Sequence, residues 1–183
     1  MDEINPGTLT VPTGLPKVPP MKVDMGGILA AESRIQEVAI VNPVKAPELM
    51  ATFNQAYSDL TEIISKVEYQ YEVAKIQEEK ARAICIIDRV PGILKEKGLT
   101  STKSPSGSED MRSAVLALDP EYEAAQEKVI QLKCILTYLE GKLKAIDMAY
   151  TGVKKVFGDT SQYRHSPDLS VEPGQPSSFF KKY

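Results

Sequence analysis

The apolar positions of the chain form two long stripes with helical spacing. From Glu48 the first runs Leu49, Phe53, Ala56, Leu60, Ile63, Val67, Tyr71 and Ala74, then Ala81, Ile84 and Ile87. Intervals of three and four residues keep one side of a helix apolar, which predicts a helix over about 48–89 that ends before Pro91-Gly92. At about 1.5 Å per residue it would extend on the order of 60 Å. The second stripe is more regular. Tyr122, Ala125, Val129, Leu132, Leu136, Leu139, Leu143, Ile146, Tyr150, Val153 and Phe157 hold a 3-4-3-4 spacing. A sustained period of about 3.5 residues keeps one seam facing a partner helix, so 120–157 is expected to pack like a coiled-coil helix. Asp119-Pro120-Glu121 supplies its start: a side-chain cap, a proline where no donor is needed, and an acid beside the positive end of the helix. Gly158-Asp159 is its expected end.

Shorter elements flank these two. Ile28 to Ile40 reads as one short helix, broken by Asn42-Pro43, with Pro47 suited to the first turn of the next helix. Residues 91–108 are rich in turn formers and read as a loop, followed by a short helix from Glu109 to Leu118. Seven of the thirteen prolines fall in the first 47 residues. The segment Thr8 to Pro20 is therefore expected to be neither helix nor central strand, because proline fixes φ and removes a donor. It reads as an extended arm, either disordered or docked on a neighbouring subunit through Leu9, Val11, Leu15 and Val18. The organisation is thus an arm (1–27), a helical domain (28–158) and a flexible C-terminal tail (159–183). The fold class is all-α: a long antiparallel helical hairpin with coiled-coil-like packing and extended arms at both ends. A hairpin buries only one seam, and Ile130 and Ile135 widen the second stripe. An oligomer is expected for that reason, held by Leu132, Leu136, Leu139, Leu143, Ile146, Tyr150 and Val153. A monomeric three-helix bundle using 28–40 is the alternative.

Composition adds mostly exclusions. The net charge of −3 gives no bulk preference for nucleic acid. The chain starts acidic with no apolar stretch of a signal peptide behind it, and no apolar run reaches the ~18 residues of a membrane span. A soluble cytoplasmic protein without a membrane partner is expected. Cys85 and Cys134 sit in helical apolar patterns without metal-ligand spacing, reading as buried reduced thiols or, alternatively, as a disulfide between the two helices. His165 is the only histidine. No phosphate-binding glycine loop, nucleophile elbow or zinc-protease motif occurs, so neither an enzyme nor a cofactor is expected.

Local charge is more informative. Lys80, Arg82, Arg89, Lys95, Lys97 and Lys103 face only Asp88 and Glu96 over 80–103, a local charge of +4. Lys128, Lys133, Lys142, Lys144, Lys154 and Lys155 face Glu140 and Asp147 over 128–155, again +4. Such stretches either solubilise the outside of a helix pair or meet nucleic-acid phosphates by salt-sensitive counterion release. Tyr69, Tyr71, Tyr138 and Tyr150 are candidate stacking residues for unpaired bases, with Tyr71 and Tyr150 also read as core.

The order of elements adds a family. A helix carrying Lys80-Ala81-Arg82, a loop, a short segment Met111-Arg-Ser-Ala-Val-Leu116 before an acidic helix start, and a long helix ending Leu143-Lys-Ala-Ile-Asp-Met-Ala-Tyr-Thr-Gly-Val-Lys-Lys155 resemble the UvsY-type recombination mediators of tailed phages. The likeness spans about residues 80–155 and departs at Asp147-Met148, where many members carry Asn-Arg or Ser-Arg. It implies a ring-like helical homo-oligomer that binds single-stranded DNA. It also implies that the protein helps load a RecA-like recombinase onto DNA covered by single-strand-binding protein, in the host cytoplasm. By the resemblance Lys80 and Arg82 are DNA contacts and the long C-terminal helix drives oligomerisation. Arg89, Lys95, Lys97 and Lys103 complete the candidate nucleic-acid surface. A structural or scaffolding protein of a virion or other assembly, laced together by its arms, is the competing expectation.

Overall fold

The computed structural model of the chain describes residues 7–100 and 107–164, and it is mostly helical. A two-stranded hairpin, β1 (Thr8–Val11) and β2 (Met21–Asp24), precedes helix α1 (Gly26–Ser33) and a 3₁₀ segment (Ile35–Ile40). Helix α2 (Ala46–Ile84) follows, running through a π-helical segment (Cys85–Arg89) into α3 (Val90–Glu96). Helix α4 (Glu109–Ala117) leads to α5 (Pro120–Arg164).

Helices α2 and α5 carry the fold. They comprise 39 and 45 residues, about 58 Å and 67 Å of helix. Tyr122 near the start of α5 donates to Glu78 near the end of α2. Farther along, Lys142 pairs with Glu32 of α1, which lies beside the start of α2. The two helices are therefore antiparallel. Leu49, Phe53, Leu60 and Val67 of α2 are fully buried, as are Leu132, Leu139, Ile146 and Val153 of α5. Leu136 is nearly so, and Leu143 and Tyr150 are half-buried against the same core. The seven residues expected to hold an oligomer thus face their own chain. Phase explains it: one strict stripe is enough to meet one long antiparallel partner, and α2 supplies that partner.

The N-terminal segment is a second correction. It folds as an antiparallel β-hairpin with Leu9 opposite Val23 and Val11 opposite Met21, not as an extended arm. Pro12, Pro16, Pro19 and Pro20 lie between the strands, so no ladder donor is lost. Leu9, Val11, Met21 and Val23 share one face by the two-residue period, and that face packs onto the helical core of the same chain. Gly14 fixes the approach. Its N–H donates to Gln70 Oε1 at 3.0 Å, and a Cβ there would lie 2.4 Å from the Gln70 carbonyl oxygen. The short helix expected over 28–40 is divided into α1 and the 3₁₀ segment. The 3₁₀ segment covers Gly152 of α5, where a Cβ would meet Val38 Cγ1 at 3.0 Å.

The first long helix also outlasts its expected end, continuing past Pro91 to Glu96. A proline inside an α-helix lacks one donor and its ring crowds a carbonyl four residues back. The π-segment immediately before it widens the hydrogen-bond ladder, and Pro91 falls in the first turn of α3, where no donor is required. Likewise α5 passes Gly158 and reaches Arg164. A single interior glycine costs only about 1 kcal/mol of helix propensity, too little to stop a helix already packed along most of its length. The short helix expected from Glu109 is present, capped by Ser108. The expectations for residues 1–6, 101–106 and 165–183, Lys103 among them, lie outside the described residues.

Candidate nucleic-acid interface

The basic residues of the first stretch gather where α2, the π-segment, α3, α4 and the start of α5 meet. A small second core of Cys85, Val90 and Leu94, backed by Val115 and Leu116, ties these elements together. Asp119 is the polar centre of the junction and is 7% exposed. Its Oδ1 accepts from the backbone N–H groups of Glu121 (3.1 Å) and Tyr122 (2.9 Å), which caps α5. Its Oδ2 pairs with Arg89 at 2.5 Å, and the same guanidinium reaches Glu121. The Cys85 thiol interacts electrostatically with Asp119 as well.

Protonation follows from these contacts. The Tyr122 N–H, then Arg89 and Cys85, hold the Asp119 carboxyl below its ordinary range against the opposing effect of burial. Burial pushes the Cys85 thiol up, and the Asp119 charge adds to it, so the sulfur stays protonated and inert. Glu121 and Asp119 raise the Arg89 guanidinium further above neutrality. Because Asp119 titrates lower folded than unfolded, the unfolded chain binds more protons in acid. Its contribution is complete above about pH 4 and lost as pH falls through the folded value. Asp119→Ala is expected to cost about 1–2 kcal/mol at neutral pH through the lost cap, read by urea unfolding. The variant should also show a shallower loss of stability below about pH 4 than wild type. An unchanged acid slope would mean that other carboxylates dominate it.

Among the described residues Lys80, Arg82, Lys95 and Lys97 are exposed and make no ion pair, whereas Arg89 is committed to Asp119 and Glu121. Arg89 is therefore an internal strut rather than an open DNA contact, a correction to the sequence reading. Lys95 and Lys97 lie at the C-terminal end of α3, where helix carbonyls favour ammonium groups. Lys80 and Arg82 are two positions apart, about 200° around a helix, and so face different ways. Lys80 and Lys128 rim a groove of about 500 Å³ floored by Ala74, Ala81, Ala124 and Ala125, with Gly14 and Pro16 of the β-hairpin at its lip. Arg82 lines a separate cavity with Arg112 of α4.

The second basic stretch is more dispersed. Lys142 is drawn into the Glu32 pair at 2.5 Å and lies 4.8 Å from the centroid of the Tyr138 ring. Burial alone would lower its pKa, but Glu32 and Tyr138 outweigh that and raise it. Lys128 donates to the Leu15 carbonyl at 3.2 Å. Lys133, Lys144, Lys154 and Lys155 are exposed. Of the tyrosines, Tyr71 and Tyr150 pack on the core, while Tyr69 and Tyr138 are exposed, Tyr138 with Lys142 over its ring. Both cysteines are free thiols: Cys85 is buried, but Cys134 is exposed, so neither the disulfide nor a second buried thiol describes this chain. Sequence reasoning missed Arg112 because it sits between Asp110 and the apolar Val115 and Leu116, with no basic neighbour to draw attention to it.

Among the described residues, no helix is long and apolar enough to cross a membrane. No family model, curated protein or solved structure matches the chain.

Proposed function

We propose that the protein is a homo-oligomeric single-stranded-DNA-binding recombination mediator. In this reading it helps load a RecA-like recombinase onto DNA covered by single-strand-binding protein and catalyses no reaction of its own. The observation that carries the reading is a set of cations left without ion pairs toward one end of the helix pair. Lys80, Arg82, Lys95 and Lys97 stand exposed there without acidic partners among the described residues, around the Lys-Ala-Arg element that prompts the family resemblance. Exposed acids lie beside these cations in the chain, Glu79 before Lys80 and Glu96 between Lys95 and Lys97, but none forms an ion pair with them as Glu62 does with Lys66 on α2. Cations left open at one end of the rod are suited to phosphates.

Assembly needs a surface other than the buried seam. Helix α5 carries a second apolar stripe through Ile130, Cys134, Tyr138 and Met148, all exposed. With Gly141 and Ala145 between Tyr138 and Met148, its intervals of three and four residues would admit a helix of a second copy there. Substituting Ile130→Glu with Met148→Glu is expected to yield monomers in sedimentation with the helix content of wild type, because neither side chain supports the intrachain core. Persistent oligomers would exclude this stripe.

The functional test is fluorescence anisotropy with a labelled strand of about 30 nucleotides and its duplex, over a range of salt. Preference for the single strand and a steep linear fall of log affinity with log salt are expected. Absence of binding at low salt would end the mediator reading. The scaffolding alternative predicts stable oligomers with no such binding. It retains the exposed stripe, but residues 7–24, expected to lace subunits together, are packed on their own helices.

A further inference from the structure

On the side of α2 away from the Lys80 groove, Arg82 shares a cavity of about 160 Å³ with Glu109, Arg112 and Ser113, walled by Ile86 and Leu116. Arg82 comes from the last turn of α2 and Arg112 from the first turns of α4, brought together by the small core beneath them. Neither guanidinium has an ion-pair partner among the described residues. Two cations thus share one partly apolar cavity with a single carboxylate, Glu109, which leaves a net positive charge among its lining residues. The cavity is well under the ~300 Å³ at which small-molecule pockets begin, so it suits one small charged group rather than a nucleoside.

We propose that Arg82 and Arg112 form a seat for a phosphate group, with the Ser113 hydroxyl as a third donor, and that the phosphodiester of a single strand is its source. Guanidinium groups match phosphate oxygens through paired N–H donors, and two of them can grip one phosphodiester from both sides. Glu109 lines the same cavity and opposes a second negative charge. The seat therefore favours the singly charged phosphodiester over a free phosphate dianion. This inference rests on the DNA-binding reading and extends it. A strand touching both Lys80 and Arg82 must cross over α2 from one side to the other, and Arg112 holds it on the far side.

The test compares full-length wild type, Arg112→Ala and Arg112→Lys on the labelled single strand and, separately, by thermal shift with inorganic phosphate. Arg112→Ala is expected to lose roughly tenfold in DNA affinity, as for a charge-assisted hydrogen bond. It should also lower the magnitude of the log–log salt slope by about 0.7, one phosphate contact on a single strand. Arg112→Lys should restore the slope, because the charge is kept, but only part of the affinity, because the paired donors are not. If wild type binds the strand and Arg112→Ala binds it equally with the same slope, the seat is overturned while the mediator reading stands. If wild type ignores the strand yet inorganic phosphate raises its melting temperature in an Arg112-dependent way, the seat stands with a different source and the mediator reading falls. If wild type responds to neither probe, both are overturned.

Discussion

Leu139→Ala is expected to lower the stability of the protein by about 2–5 kcal/mol, the usual cost of emptying a buried leucine site, and to do so at every protein concentration. Leu139 is fully buried in the core that also contains Leu60, Ile64 and Val67 of α2 and Leu136 of α5. Long helices packed side by side are stiff, so the surrounding side chains close only partly over the lost methyl groups. The concentration test separates two roles that the heptad stripe leaves open. If Leu139 stabilised contacts between copies, dilution would change the measured effect, because association is a mass-action term. If it stabilises the chain's own hairpin, urea midpoints of wild type and variant stay equally far apart on dilution. Equilibrium unfolding across a hundredfold range of protein concentration decides it. A gap that narrows with dilution would return this residue to an intermolecular seam.

The second large effect concerns Lys80 and Arg82. Each single alanine substitution is expected to weaken single-strand binding roughly tenfold near 0.1 M salt, within the range for hydrogen bonds to charged groups. The double variant should lose roughly a hundredfold, because residues facing opposite ways share no partner and their effects add as free energies. The salt slope should fall by about 0.7 for each. Melting temperatures should stay within a degree or two of wild type, since both side chains are exposed and unpaired among the described residues. Arg89→Ala should behave in the opposite way. It removes the strut to Asp119 and Glu121, so stability falls while DNA affinity changes little. A double Lys80/Arg82 variant with unaltered affinity would mean that the Lys-Ala-Arg element is not the DNA contact.

The polar junction links these two results. Asp119 caps α5, and the same carboxylate anchors the π-segment through Arg89. The end of α2, the short helices and the start of α5 are held in one arrangement by a group that is about nine-tenths buried.

Helix content and helix phase were set by the sequence alone, because both depend on local periodicity. The stripe from Leu49 to Ala74, the stripe from Val129 to Val153, the Asp119-Pro120 start and the short helix at Glu109 are all legible from residue spacing and capping chemistry. Two local signals were readable but outweighed by the prolines. Leu9/Val11 and Met21/Val23 alternate as strands do, and the prolines between them mark the turn of a hairpin. What one chain's pattern could not specify is what each stripe faces. Leu132 to Val153 suits a neighbouring copy as well as α2, and only the antiparallel return of the chain assigns it to α2. Nor does a string of charges say which are already neutralised. Arg89 and Arg82 look equivalent in sequence, seven residues apart, yet one meets Asp119 and Glu121 across a junction some thirty residues long and the other is left exposed without an ion pair, lining a cavity with Arg112. Those pairings are long-range, set by how the π-segment carries the helix past Pro91, and no local propensity encodes them.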